Sequence, residues 1–267
     1  MVNSTMLQKL PKELRNLIGQ GDVELNNRGW SGAVVAYLRE TAAFSRPAYL
    51  KFKEYDPIES LRYEVEVLRW LQGKVPVPEV LYYGQFGDME YLLMSEVEGE
   101  DCSREGNLRQ PKNTVRQLAY GLKQLHKLDI SDCPLNQTLN VKLDKARQRV
   151  EKGLVDEEDF DAERLGQTAQ QVYEMAIARR PKREELVFTH GDYCLPNIIL
   201  KDGGLSGFID LGRAGVADRY QDIGLAVRSI RFNLGDEKWV EAFLTYYGLK
   251  EVDWERIEYY ILLDELF

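Results

Sequence analysis

The sequence predicts an α+β protein of two lobes: an antiparallel sheet with one helix over residues 1–97, then a mostly helical lobe over residues 98–267. Three observations carry this. Short apolar alternations bounded by turn residues fill the first third, a single helical period interrupts them, and helical periods dominate after Glu98-Gly99.

The first strand follows the Gly29-Trp30-Ser31-Gly32 turn, with Val34, Ala36 and Leu38 alternating. A second is Ala48-Tyr49-Leu50-Lys51-Phe52, after Ser45-Arg46-Pro47. From Ser60 to Gln72 the period becomes helical, with Leu61, Val65 and Leu68 on one face and Gly73 as the stop. Val80 to Tyr83 and Tyr91 to Met94 read as strands joined by a Gly87-Asp88 turn. Val115 to Leu128 is a helix with Val115, Leu118, Leu122 and Leu125 inward, and about Leu139 to Arg180 reads as helical with an acidic loop inside. Leu186 to Phe188, Ile198 to Leu200 and Leu205 to Ile209 are short strands. Helices at Asp222 to Ile230, Lys238 to Tyr247 and Trp254 to Leu263 complete the chain.

Composition narrows the function. With 44% apolar residues, 267 positions suffice for a real core. A net charge of −9 without a basic stripe excludes nucleic acid as the expected partner. No run of about eighteen apolar residues exists to span a membrane, and the polar start lacks the form of a secretory signal. Three scattered cysteines and two histidines predict neither a disulfide framework nor a zinc site, and fit the cytoplasm. Nothing implies an obligate protein partner.

The chemistry is concentrated in His190-Gly191-Asp192, in a loop after an apolar strand, with Asn197 five residues beyond Asp192 and Asp210 at the end of a hairpin strand. Such a unit can converge one carboxylate for a hydroxyl with an amide and a carboxylate for a hard cation. His-x-Asp-x4-Asn followed by a strand-end Asp is the pattern of kinase catalytic and metal loops. Taken singly, each residue is an ordinary turn or cap residue. Together, in this order, they point to phosphoryl transfer with Asp192 on the hydroxyl. His190 is assigned as support for the loop, and His126, on an apolar helix face, as a satisfied core histidine. A strand lysine held by a helix carboxylate is matched by Lys51 and Glu64, while the Gly29 to Gly32 turn alone is only a hairpin signal.

At this point the chain resembles a known family, the aminoglycoside 3'-phosphotransferases, small-molecule kinases with a protein-kinase-like fold. The resemblance runs through Tyr49-Leu50-Lys51, Leu92-Leu93-Met94-Ser95-Glu96, Asp129-Ile130-Ser131-Asp132-Cys133-Pro134, Phe208-Ile209-Asp210-Leu211-Gly212-Arg213 and Tyr259 to Phe267. It implies ATP and Mg²⁺, with Asp192 catalytic and Asn197 and Asp210 as metal ligands. Lys51, steadied by Glu64, would hold the α/β-phosphates under a loop containing Ser31. Tyr49 would stack on adenine, and the Ser95 and Val97 backbone would read its edge. A cationic aminoglycoside would meet Glu158 and Asp161 from the acidic loop, with Asp264, Glu265 and the Phe267 carboxylate from the terminus and Arg213 nearby. The stretch Tyr193-Cys194-Leu195-Pro196 is more apolar than in some members. Without the resemblance, the residues leave open a kinase for another hydroxylated metabolite or an inactive nucleotide-binding scaffold.

Overall fold

The computed structural model describes residues 10–19, 23–26 and 33–267. Its backbone divides into two compact units, Met1–Val97 and Glu98–Phe267. The predicted turn at 29–32, with Ser31, lies outside the described residues.

In the first unit, helix α1 (Lys12–Ile18) precedes strands β1 (Val23–Asn26), β2 (Val34–Leu38) and β3 (Ala48–Glu54), then α2 (Leu61–Leu71), β4 (Val80–Phe86) and β5 (Met89–Ser95). The strands form one antiparallel sheet in the order β1-β2-β3-β5-β4. Period-2 alternation sorts β3 by face. Ala48, Leu50 and Phe52 join Leu14, Ile18, Leu38 and Leu93 in one core cluster. Tyr49 and Lys51 therefore lie on the opposite face. The β4–β5 hairpin turns on Gly87-Asp88, with Gly87 at φ +58° supplying the left-handed backbone a tight turn needs.

Helix α2 begins at Ser60, whose hydroxyl accepts the Arg62 N–H. Its start is held further by Glu90 of β5, which sequence reading passed over. This fully buried carboxylate accepts from the Ser60 hydroxyl at 2.7 Å, the Leu61 N–H at 3.1 Å and the Tyr83 hydroxyl at 2.6 Å.

The second unit opens with β6 (Glu100–Asp101), α3 (Glu105–Leu108), α4 (Pro111–His126), α5 (Leu139–Glu151) and α6 (Ala169–Ala178). There follow β7 (Leu186–Thr189), a 3-10 turn (Leu195–Asn197), β8 (Ile198–Lys201), β9 (Gly204–Phe208) and β10 (Gly215–Asp218). Helices α7 (Arg219–Leu234), α8 (Glu237–Tyr247) and α9 (Trp254–Asp264) close the chain. Helix α7 is buried on every side from Tyr220 to Val227, as befits the central helix of a core. Gly224 lets it approach α9, since a Cβ there would sit 3.0 Å from the Ile257 carbonyl.

Strand β7 pairs with β10, and the β8–β9 hairpin pairs with β6. Two expectations needed adjustment. Asn197 ends the 3-10 turn before β8 instead of opening the strand. Asp210 lies two residues past β9, in a left-handed conformation at φ +56° that breaks the ladder. Among the described residues no helix is long and apolar enough to cross a membrane.

Glu90→Ala strands three donors, the buried Leu61 N–H and the half-buried Ser60 and Tyr83 hydroxyls. Chemical denaturation is expected to show a loss of about 2–4 kcal/mol, against under about 1 kcal/mol for exposed Glu66→Ala.

Candidate active site

The loop after β7 is fixed by its own backbone. Gly191 has φ +87°, and a Cβ there would overlap the Arg213 carbonyl, so glycine alone fits. The His190 and Gly191 amides find no strand partner and donate to Asp222 of α7, at 2.7 and 2.9 Å. The Gly191 carbonyl accepts from Gln221 Nε2 at 2.8 Å. His190 is fully buried; its Nε2 donates to the Ile209 carbonyl at 3.0 Å while its ring packs edge-on against Tyr193 and Phe208.

Asn197 clasps the loop from the other side. Its Nδ2 donates to the Asp192 carbonyl at 3.0 Å and to Asp192 Oδ2 at 2.9 Å. Both acceptors are oxygens, so the amide nitrogen must face them, and the amide oxygen is turned away. The Ile209 N–H donates to the Asn197 carbonyl at 3.0 Å. Ile209 is thus held at both of its peptide groups, which sets the position of Asp210 next to it. Burial pushes the Asp192 carboxyl above its ordinary range; Asp264 and Asp210 add to this, and Arg213 opposes it. Among the described residues no cluster of three or more His, Cys, Asp or Glu forms a metal site. The hard oxygens here are one amide and one or two carboxylates, a set that suits a cation completed by phosphate oxygens.

In the first unit, Lys51 Nζ donates to Glu64 Oε2 at 2.9 Å, with side chains only 9% and 2% exposed. Glu64 lies in the first turn of α2, where the helix dipole favours an anion. Tyr49 is half-buried, 5.1 Å from the Tyr37 ring. The Ser95 N–H donates to the Glu79 carbonyl at 2.9 Å and is therefore taken; Val97 follows β5, half-buried.

The chain terminus is more tightly self-paired than the sequence suggested. Asp264 ion-pairs with Arg228 and lies 3.6 Å from Arg213. Glu265 points inward: its side chain is 4% exposed, accepts the Asp161 N–H at 3.0 Å and lies 3.5 Å from Arg164. Arg164 also binds Asp161 at 3.1 Å, so the acidic loop is fastened to the terminus. Arg149 strengthens the fastening, donating to the Leu266 carbonyl at 2.8 Å and the Leu154 carbonyl at 3.0 Å. The Phe267 ring lies among Lys142, Arg149 and Arg213, at 5.5, 5.8 and 5.4 Å. Glu158 stays exposed, with its N–H on Asp156 Oδ1. Sequence reasoning missed Asp222, Arg164, Arg149 and Lys142. Asp222 carried no local signal, since its helix also holds Arg219, Gln221 and Arg228.

A carboxylate clasped by an amide, a second carboxylate beyond a hairpin, and a buried lysine–glutamate pair are the working parts of a kinase-like phosphotransferase. Residues 22–260 match the model of the family described as phosphotransferase enzyme family, APH, and the chain belongs to that family. An aminoglycoside 3'-phosphotransferase of Niallia circulans is 45% identical over 257 residues, covering 96% of this chain and 97% of the relative. One from Enterococcus faecalis is 38% identical over 266 residues, covering 97% and 98%. The crystal structure of aminoglycoside-3'-phosphotransferase of type VIII superposes with a TM-score of 0.83 at 32% identity, over 92% of this chain and 94% of that one. The fold is therefore the α+β, protein-kinase-like fold of these enzymes. A Streptomyces rimosus phosphotransferase, APH(3'')-Id, solved with ADP and streptomycin, aligns over 100% of this chain and 99% of its own, at 28% identity and TM-score 0.79.

Burial, with Asp161 beside it, pushes the Glu265 carboxyl up to about 7, above its ordinary value. A carboxyl that binds its proton more tightly when folded favours the folded state at low pH, and that contribution fades as pH rises through the folded pKa. Thermal denaturation from about pH 5 to about pH 8 is expected to lower the wild-type Tm more than that of Glu265→Gln. Parallel curves for the two would exclude this titration.

Proposed function

We propose that this chain is an ATP- and Mg²⁺-dependent aminoglycoside 3'-phosphotransferase of the kanamycin/neomycin type that confers resistance to these antibiotics. The observation that carries the acceptor is the 45% identity, over nearly the whole of both chains, to a relative of that name. The clasped Asp192 supports the reaction class. Nucleotide binding is assigned to residues 1–97, and catalysis and acceptor binding to residues 98–267. The need for ATP and three cysteines without a disulfide favour the cytoplasm.

Asp192 accepts a hydrogen bond from the 3'-hydroxyl, aims its oxygen at the γ-phosphorus and receives the proton as the new bond to phosphorus forms and the bond to the β–γ bridging oxygen breaks, ADP leaving with that oxygen. Its raised pKa brings it closer to that duty than an ordinary carboxylate. A loose transition state asks mainly for this aim. Asn197 holds Asp192 in place through Nδ2, and its amide oxygen, with the Asp210 carboxylate, would hold Mg²⁺. The ion, when bound, neutralises charge on the transferring phosphates. Lys51, kept straight by Glu64, takes the α/β-phosphates, Tyr49 with the Ser95 and Val97 backbone receives adenine, and Ser31 is assigned to the nucleotide.

On the acceptor side, Glu158, Asp161 and Asp264 meet the ammonium groups, Phe267 is assigned beside them, and Arg213 orders Asp264. Glu265 serves the site through its hold on the Asp161 backbone. Carboxylates arranged as a network around a polycation bind it far better than isolated exposed pairs would.

The purified chain is expected to release ADP from ATP when kanamycin or neomycin is added, and only with Mg²⁺ present. Absence of stimulation by either antibiotic defeats the acceptor assignment. Asp192→Ala is expected to lower kcat at least about 1,000-fold with ATP affinity within about threefold, as for loss of a group acting only in the transition state. Asp264→Asn is expected to raise the aminoglycoside KM about tenfold while the ATP KM stays within about twofold. An equal rise in both would remove Asp264 from the acceptor side.

A further inference from the structure

Three helix ends meet behind the loop that carries Asp192. Helix α4 ends on His126, α8 ends on Tyr247, and α7 begins with Arg219 and carries Asp222 in its first turn. Arg219 reaches the Tyr247 hydroxyl oxygen with Nε at 3.1 Å and Nη2 at 2.6 Å. That oxygen lies 2.8 Å from His126 Nδ1, and His126 Nε2 lies 3.1 Å from Asp222 Oδ2. The same Oδ2 accepts the His190 amide, and Oδ1 the Gly191 amide.

Counting protons fixes every direction in this chain. A guanidinium only donates, so its two N–H groups occupy the acceptor side of the Tyr247 oxygen. The hydroxyl proton is left to point at His126 Nδ1, which must then accept. The imidazole therefore carries its proton on Nε2 and donates it to Asp222. The opposite tautomer would set two hydrogens against each other at Nδ1 and a lone pair against the carboxylate at Nε2. Burial raises the Tyr247 pKa, although Arg219 pulls the other way, so the phenol keeps the proton that it donates. The ring is held edge-on to His126 at 5.7 Å and stacked on Phe243 at 6.3 Å.

We propose that His126 and Tyr247, with Arg219, are positioning residues for phosphoryl transfer, forming a directed hydrogen-bond chain that sets the Asp222 carboxylate and, through it, the His190-Gly191 backbone and Asp192. The kinetic part rests on the function proposed above, while the geometry does not. Asp222 Oδ2 serves His126 and the His190 amide at once, so a carboxylate released on one side turns on the other. A displacement of well under 1 Å at Asp192 spoils its aim at the hydroxyl without removing any group that binds substrate. The loss belongs in kcat.

Two measurements test this on the full chain. With only two histidines, long-range nitrogen–proton spectra of the isotope-labelled protein read both rings, and His126→Gln assigns them. His126 is expected as the neutral Nε2–H tautomer; a proton found on Nδ1 overturns the chain. In steady-state kinetics with kanamycin, His126→Leu fills the space without a donor and is expected to lower kcat about tenfold, with both KM values within about twofold. His126→Gln, whose amide N–H can reach Asp222, is expected to recover kcat to within about threefold of wild type. Tyr247→Phe preserves volume and is expected to fall between them, which keeps the test available if the leucine variant does not fold. Equal kcat for the Leu and Gln variants, or a loss confined to KM, overturns the positioning role. If the aminoglycoside reading fails instead, no variant turns over, wild type included, and the Nε2–H tautomer still stands.

Discussion

The Asp222 carboxylate is the contact on which the geometry of the second unit turns. A left-handed residue at Gly191 folds the chain back after β7 and leaves two consecutive amides without a strand partner. Unpaired N–H groups in a core cost about 1–3 kcal/mol each. Asp222 satisfies both with one side chain that is itself fully buried. Such an anion is tolerable because it lies in the first turn of α7, where the helix dipole is positive, and accepts from three donors. Asp192 then leaves a loop whose backbone has no freedom to drift, and Asn197 fixes what remains.

The first unit solves the same problem in the same way. Glu90 accepts the Leu61 amide at the head of α2, and Glu64 stands in the first turn of that helix, facing Lys51. Each unit thus stabilises a buried carboxylate at a helix start and uses it to hold a second group in a fixed place. Buried ion pairs of this kind contribute little to stability, because desolvation offsets most of the attraction. What Lys51–Glu64 supplies is a lysine ammonium of fixed position.

Much of this was legible in the chain. The alternation in β3, the Gly87-Asp88 turn and the helical period of α2 are local signals, and the elements form where they predict. Strands β1, β6 and β10 were missed because Val23–Asn26, Glu100–Asp101 and Gly215–Asp218 lack the apolar run that marks β7 and β8 at similar length, and they are defined by pairing with other strands. The order of His190, Asp192, Asn197 and Asp210 was visible, and the clasp between Asp192 and Asn197 follows from their closeness in sequence. Asp222 sits some thirty positions away, and nothing local distinguishes a carboxylate that receives a loop from one that faces water. Glu265 shows the converse limit. Its place in an acidic terminus suggested a ligand contact, while burial against Arg164 and the Asp161 amide turns it toward the protein.

That inward turn alters how a terminus rich in acids has to be understood. Arg228 and Arg213 attend Asp264, Arg164 attends Glu265, and Lys142, Arg149 and Arg213 surround the Phe267 ring. Left unpaired, neighbouring carboxylates repel one another and push the tail into solvent. Countercharged from behind, they stay in register, with the loop at Asp161 tied to them. Burial and the facing Arg213 also draw Lys142 down to about 7, so the innermost cation is the one whose charge is least secure. The arginines keep theirs at any physiological pH, and fixed positive charge behind the carboxylates moderates their pull on a cation in front. The net charge of −9 thus describes the attraction poorly. Under the acceptor assignment proposed above, a cationic ligand would meet the smaller residue of negative charge left after internal pairing, held in fixed positions, and fixed positions give selectivity where charge alone gives only attraction.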